Sequence, residues 1–222
     1  MGDIFMDIYE VLREEYGDRD WWPARSPFEV MVGAVLTQNT NWQNVEKAID
    51  NLRDAGLLEP VALIKATSER LQERIRPAGY YRQKSARVQR LARWVADSCP
   101  APEVSVETLK DRPTDVLRRE LLAINGIGPE TADSILLYAL DKPVFVVDAY
   151  TVRVFGRHGL IDPSMPYAEV QETFQYRLPE DIELYRDYHA QIVEVGKRCC
   201  SKSSPECSAC PLKPLLGPGE LR

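Results

Sequence analysis

Two short segments of this 222-residue chain carry residue types that can do chemistry. The first is Leu122-Ala123-Ile124-Asn125-Gly126-Ile127-Gly128-Pro129-Glu130-Thr131-Ala132. It reads as the end of one helix, a Gly-x-Gly turn and the start of a second helix. The first N–H groups of a helix have no partner within it, so such a turn offers a seat for a phosphate. Glycine at Gly126 and Gly128 is expected to permit positive φ and close approach of a phosphodiester. The second segment, Val146-Val147-Asp148-Ala149-Tyr150, sets one carboxylate at the end of an apolar run. Asp148 reads either as the N-cap of the next helix or as an ionised group for general-base or charge-stabilising work. A phosphate seat near a lone carboxylate suggests an enzyme that grips DNA and acts on it.

Cysteines form a third constellation. Cys199, Cys200, Cys207 and Cys210 crowd together, and Cys99 stands apart as a packing residue. Such a cluster in a reducing compartment points to a metal rather than to disulfides. Three tryptophans, Trp21, Trp22 and Trp42, flank the first strongly apolar segment. Aromatic faces stack on bases and attract positive charge, although an isolated tryptophan is more often core.

Bulk properties narrow the reading. With 44% hydrophobic residues the chain can fill one large or two small cores. The start, Met1-Gly2-Asp3-Ile4, lacks a basic stretch followed by an apolar run, and no apolar run is long enough to span a bilayer. A soluble, cytoplasmic monomer with no membrane contact is expected, nucleoid-associated in a prokaryote. The net charge of −6 argues against holding DNA by a broad basic face. A local patch, Arg82, Lys84, Arg87, Arg90 and Arg93, recurs at helical spacing and reads equally as a phosphate-facing surface or a solvated helix face.

Apolar residues recur at three and four throughout, which predicts an all-α chain. Helices are expected around Ile4, Ile8, Val11 and Leu12, then over 28–36, 45–52, 63–76, 84–99, 115–124, 130–140, 150–158, 167–178 and 183–197. A proline-rich linker is expected over 100–113, and a loop from 201 onward.

The turn segment, with Leu121 before it and Thr131-Ala132-Asp133-Ser134-Ile135-Leu136 after it, resembles the helix-hairpin-helix of the endonuclease III superfamily of DNA glycosylases. The likeness continues through Val146-Val147-Asp148-Ala149-Tyr150-Thr151-Val152-Arg153-Val154, Leu36-Thr37-Gln38-Asn39-Thr40 and Gly79-Tyr80-Tyr81-Arg82-Gln83-Lys84, and runs in order over 28–210. It implies two helical domains, 21–141 and 1–20 with 142–222, and a cleft between them. It implies binding to double-stranded DNA with a damaged base, which is flipped out for excision. Asp148 would be catalytic, Gln38 would fill the gap, and Tyr80 would wedge the strands. Gly126, Gly128 and Lys84 would meet the DNA backbone.

Three departures or additions refine this resemblance. Members with lyase activity carry a lysine where this chain has Glu130. Glutamate cannot form an imine, so a monofunctional enzyme is implied. Glu130 itself reads as a helix-dipole residue or as a catalytic-pocket carboxylate suited to a cationic base. Trp21-Trp22-Pro23, Thr37 to Trp42, and Gly128 to Asp133 resemble the 3-methyladenine DNA glycosylase III branch, which implies a base pocket of Trp21, Trp22, Pro23 and Trp42. The cysteines match the family's iron–sulfur spacing at Cys200, Cys207 and Cys210, but Leu216 stands at the fourth position. A [4Fe–4S] cluster with Cys199 as fourth ligand is the leading expectation, with a zinc site or a lost cluster as alternatives. The cluster would hold the basic loop of Lys197, Arg198 and Lys202. The expected function is base-excision release of an alkylated purine such as 3-methyladenine. Alternatives are a mismatch uracil or thymine or oxidised-pyrimidine glycosylase, and a non-catalytic DNA-binding module. His158 and His189 read as structural, with His189 alternatively able to approach the pocket from the C-terminal half.

Overall fold

The computed structural model describes residues 2–19, 22–99 and 105–216. Among these, every regular element is helical. The chain divides into two compact units, Trp22–Lys142 and Met1–Trp21 with Pro143–Arg222. No described helix is long and apolar enough to cross a membrane.

The continuous unit is built around α2 (Pro27–Leu36). Pro27 at its first position needs no N–H partner, and the Ser26 side chain accepts the Glu29 N–H at 3.2 Å. Nearly all of α2 is buried, as a central helix with apolar residues on every side should be. It packs against α3 (Trp42–Asp54), α6 (Tyr81–Ser98) and α8 (Pro129–Tyr138). Its one buried charge, Glu29, pairs with Arg53 of α3 at 2.7 Å.

The helix expected over 63–76 is instead two short ones, α4 (Pro60–Lys65) and α5 (Ser68–Arg74), followed by a 3-10 turn, Arg76–Ala78. Thr67 accounts for the break, because its hydroxyl accepts the Arg70 N–H and starts a new helix. Within the expected linker, Val106–Leu109 forms a 3-10 turn, while 100–104 lie outside the described residues. The hairpin helices are α7 (Thr114–Ala123) and α8. Buried Asp133 of α8 receives two hydrogen bonds from Arg118 of α7, at 2.7 and 3.0 Å, which fix the pair of helices.

The second unit packs α11 (Ile182–Arg198) against α1 (Ile4–Tyr16) and α9 (Ala149–Arg157). α10 (Tyr167–Arg177) rests on α1. Its core is aromatic: Phe145 stacks on Phe174 at 4.3 Å, Phe5 meets Phe174 edge-on at 4.9 Å, and Tyr188 donates its hydroxyl to the Phe5 carbonyl. The expected C-terminal loop contains a 3-10 turn, Cys207–Ala209, and a short α12 (Lys213–Leu216).

Asp133 depends on Arg118 for charge compensation within a buried setting. Arg118→Leu should therefore lower unfolding stability by about 2–3 kcal/mol, read as an earlier thermal or urea transition. A variant that melts with the wild type would contradict this account of the hairpin.

Candidate functional site

The hairpin is held by its carbonyl oxygens. After α7 the backbone becomes extended at Ile124, and the Ile127 N–H returns to the Ile124 carbonyl at 3.0 Å. Gly126 has φ +96°, a region closed to residues with a side chain, and a Cβ there would strike the Arg87 side chain. Gly128 departs from expectation: its φ of −95° is open to any residue, and a Cβ there would meet nothing within 4 Å. Its lack of a side chain leaves open space beside the N-terminus of α8. The Gln38 amide donates to the Gly126 carbonyl at 3.0 Å and to the Thr131 hydroxyl at 2.9 Å, and accepts from Arg87. Arg90 donates to the Asn125 carbonyl at 3.0 Å. Of the five basic-patch residues, Arg90 thus serves the hairpin directly and Arg87 through Gln38.

The turn before α6 carries backbone strain. Gly79 has φ +65° and Tyr80 has φ +45°, and the Tyr80 side chain is 66% exposed. A bulky aromatic is rarely placed in left-handed backbone, and rarely left in solvent. Lys84, expected at the DNA backbone, is instead buried, with 1% exposure. It lies on the same face as Val88, Leu91 and Val95, and its ammonium donates to the carbonyls of Leu36 and Ala78, both at 2.8 Å, and to the Thr40 hydroxyl at 2.6 Å. Burial, and then the Arg87 charge, push its pKa down to about 8.

Trp22, Pro23 and Trp42 line one cavity of about 530 Å³, while Trp21 lies outside the described residues. Trp22 meets Trp42 edge-on at 5.4 Å and Tyr138 at 5.0 Å, and Gly33 makes room for the Trp22 ring. The Trp42 indole N–H donates to Glu46 at 2.8 Å, which fixes the ring. Glu29, Glu46 and Asp50 also line the cavity, with Arg53 bound to Glu29 and Asp50. Glu130 stands exposed in the first turn of α8, in the same unit.

Asp148 is the N-cap of α9. Its Oδ1 accepts the Thr151 N–H at 2.7 Å and the Thr151 hydroxyl at 2.9 Å, while the Asp148 N–H reaches the same hydroxyl, completing a capping box. The other oxygen, Oδ2, faces His189 Nε2 of α11 at 3.6 Å. Burial alone would raise the Asp148 pKa. His189 and the two Thr151 hydrogen bonds outweigh it and hold the carboxyl below its ordinary value. Both readings of Asp148 are therefore compatible: one oxygen caps, and the other remains with the histidine.

The cysteines close α11. Cys199 is its C-cap, and the Cys199 carbonyl accepts the Glu206 N–H at 2.8 Å, folding the loop back. Arg153 donates to the Cys200 carbonyl, and Arg157 to the Cys200 sulfur at 3.2 Å and to the carbonyls of Ser201 and Lys202. The Cys210 thiol is pushed up to about 11, by burial and then by the neighbouring Cys199, Cys200 and Cys207. Four soft sulfurs on one loop suit iron in kind, although no three ligating side chains among the described residues converge on one point. Cys99 is a packing residue that donates to the Ser105 carbonyl.

Residues 32–180 match the model of the HhH-GPD superfamily of base excision DNA repair proteins. The chain belongs to this superfamily. It is 48% identical over 211 residues to a protein of Methanocaldococcus jannaschii provisionally named a DNA repair glycosylase, covering 95% of this chain and 94% of that one. It is 34% identical over 187 residues to endonuclease III of Thermotoga maritima, covering 84% of this chain and 81% of that one. The solved structure of H. pylori 3-methyladenine DNA glycosylase bound to 1,N6-ethenoadenine is 31% identical, with a TM-score of 0.73, over 88% of this chain and 98% of that one.

As an HhH-GPD DNA glycosylase, the chain carries one contact that sequence reasoning did not name. His189, read as structural with an approach to the pocket as the alternative, places Nε2 3.6 Å from Asp148 Oδ2. The signal was its place on the buried stripe of α11, beside Tyr185, Tyr188 and Ile192. His158 instead ends α9 as its C-cap.

Because the folded pKa of Asp148 is depressed, its ionised form stabilises the fold above the ordinary carboxylate range, and this contribution is lost as pH falls through the folded pKa. Asp148→Ala should cost about 1–2 kcal/mol near neutrality, with Asp148→Asn costing less because an amide oxygen still caps. The gap between wild type and Asp148→Ala in urea unfolding should shrink below about pH 4. A gap that stayed constant through the acid range would contradict the assignment.

Proposed function

We propose that this glycosylase hydrolyses the N-glycosidic bond of an alkylated purine, such as 3-methyladenine, flipped out of double-stranded DNA, and that it leaves an intact abasic strand. The observation that carries the substrate reading is the cavity of about 530 Å³ walled by Trp22 and Trp42, with carboxylates in its lining. The lining also holds Arg25 and Arg53, the latter paired with Glu29 and Asp50, so it is the aromatic faces that favour a cationic base over a neutral one. The likeness to the H. pylori enzyme, whose structure holds an ethenoadenine, supports the same reading.

An alkylated purine that already carries positive charge leaves as a neutral molecule, taking the bonding pair with it. It needs no general acid. Positive charge then develops on the deoxyribose, where the ionised Asp148 carboxylate would stabilise it and orient the attacking water. The water oxygen bonds to the sugar carbon, and its proton passes to the carboxylate or to solvent. Tyr80 would enter the stack as the wedge, its exposed ring set forward by the strained turn. Gln38 would exchange its hairpin bonds for the base orphaned by flipping. The N-terminus of α8 beside Gly126 and Gly128 would seat a phosphate.

Hydrolysis without strand cleavage rests on Glu130, which offers no amine at the lyase position. The lysines on either side in sequence are otherwise engaged: Lys142 donates to the Lys110 carbonyl, and Lys110 pairs with Glu107 and Asp141; Lys84, farther off, binds three oxygens. Cys200, Cys207 and Cys210 with Cys199 would hold a [4Fe–4S] cluster, which would brace the loop bearing Lys197, Arg198 and Lys202 and take no part in bond breaking.

Base release from methylated DNA should fall by about a thousand-fold in Asp148→Asn, while binding to an abasic-analogue duplex persists. Strands should break only after heat or alkali, and borohydride should trap no covalent complex. Full activity in Asp148→Asn, or a borohydride-trapped adduct, would overturn the mechanism. The purified protein should absorb in the visible and contain iron, and Cys207→Ser should remove both; a colourless, iron-free protein purified without air would refute the cluster.

A further inference from the structure

We propose that Lys84 is a positioning residue that clasps the Gln38 turn to the Tyr80 turn, so that the gap-filling and wedging side chains are presented to DNA as one unit. The inference rests on the reading of Gln38 and Tyr80 given above. Its basis is where the three acceptors lie. The Leu36 carbonyl ends α2, two residues before Gln38. The Thr40 hydroxyl lies two residues after Gln38, and the Ala78 carbonyl two residues before Tyr80. Thr40 closes the circuit by donating its own hydroxyl proton to the Ala78 carbonyl.

Both turns pass through left-handed backbone beside this ammonium, at Asn39 with φ +52° and at Gly79 and Tyr80. Such conformations persist only where the surroundings over-determine them. An ammonium has three donors and no acceptor, and all three are used here. A neutral amine would have two donors and a lone pair turned toward an oxygen. Losing one proton therefore costs the circuit one bond: either the lone pair faces a carbonyl oxygen, or Thr40 turns its hydroxyl proton to the amine and releases the Ala78 carbonyl.

The elements packed on α6 carry Glu29 on α2, Lys65 on α4, and Glu69, Arg70, Glu73 and Arg74 on α5, and none of these is among the causes that shift Lys84. The segment from Leu36 to Thr40 contains no charged residue. Arg76 on the 3-10 turn lies against the Tyr81 ring at 5.9 Å. Arg87, one turn along α6, is the cation that bears on Lys84, and it donates to the side-chain amide oxygen of Gln38. Burial and this cation bring the titration into an accessible range, near pH 8. Deprotonation should loosen the clasp as pH rises through that value.

The test compares wild type with Lys84→Met, which keeps the volume and removes every donor. Affinity for a duplex with a tetrahydrofuran abasic analogue, relative to the intact duplex, is measured by fluorescence anisotropy from about pH 6 to 10. A 2-aminopurine opposite the lesion reports insertion into the gap. Wild-type preference for the lesion duplex and the 2-aminopurine signal should both decline through about pH 8. Lys84→Met should show a preference about ten-fold lower at neutral pH and a flat profile. Thr40→Val, which keeps the lysine but removes one acceptor, should move the decline to lower pH, and it serves if Lys84→Met melts without cooperativity. A folded Lys84→Met with wild-type preference, or a Thr40→Val profile identical to wild type, would overturn the assignment while leaving the wedge reading intact. A wild type with no preference for the abasic analogue would overturn the wedge reading and this proposal with it.

Discussion

Irregular backbone must satisfy its carbonyl oxygens, and in this chain long polar side chains do so at several of its key loops. Gln38 and Arg90 take the hairpin carbonyls of Gly126 and Asn125. Lys84 takes those of Leu36 and Ala78. Arg153 and Arg157 take those of Cys200, Ser201 and Lys202. A loop gripped by its carbonyls keeps its remaining groups for something else. At the hairpin those are the first N–H groups of α8, which suit an anion. At the turn before α6 it is the exposed Tyr80 ring.

This arrangement resolves the apparent conflict between a net charge of −6 and a role on DNA. Several cations that composition would assign to a DNA-facing surface are engaged within the protein. On the proposed reading, phosphate contact would be left to backbone amides and to a few exposed cations, among them Arg82 and Arg93. A protein built this way would hold DNA at fixed points rather than over a broad charged face, and its affinity should depend less steeply on salt than a patch of five free cations would require.

Much of this was legible in the sequence because helical periodicity and turn chemistry agree. Ser26-Pro27 begins α2, the Gly-x-Gly turn separates α7 from α8, and Asp148 starts α9. The failures share a cause. Counting Lys84 with Arg87 and Arg90 by charge hid the fact that Lys84 also stands four residues before Val88 on the buried stripe of α6. Periodicity gave the right face, and residue type argued for the wrong one. Thr67 split one expected helix into two because a hydroxyl that caps a helix looks, in an apolar pattern, like any other polar position. Glycine type alone did not distinguish Gly126, which needs positive φ, from Gly128, which needs only empty space.

Asp148 shows how one side chain meets two demands without compromise. A carboxylate with burial acting alone would take up a proton and lose its value to a developing cation. The capping box supplies two hydrogen bonds to Oδ1, and His189 faces Oδ2, so the helix that needs the cap also helps to keep the group ionised. Stability and the proposed chemistry would then draw on the same charge state. A substitution that kept the cap but not the charge would separate them, leaving a folded protein without the electrostatics that the proposed bond breaking requires. The N-terminal end of α9 is where the fold itself favours a negative charge.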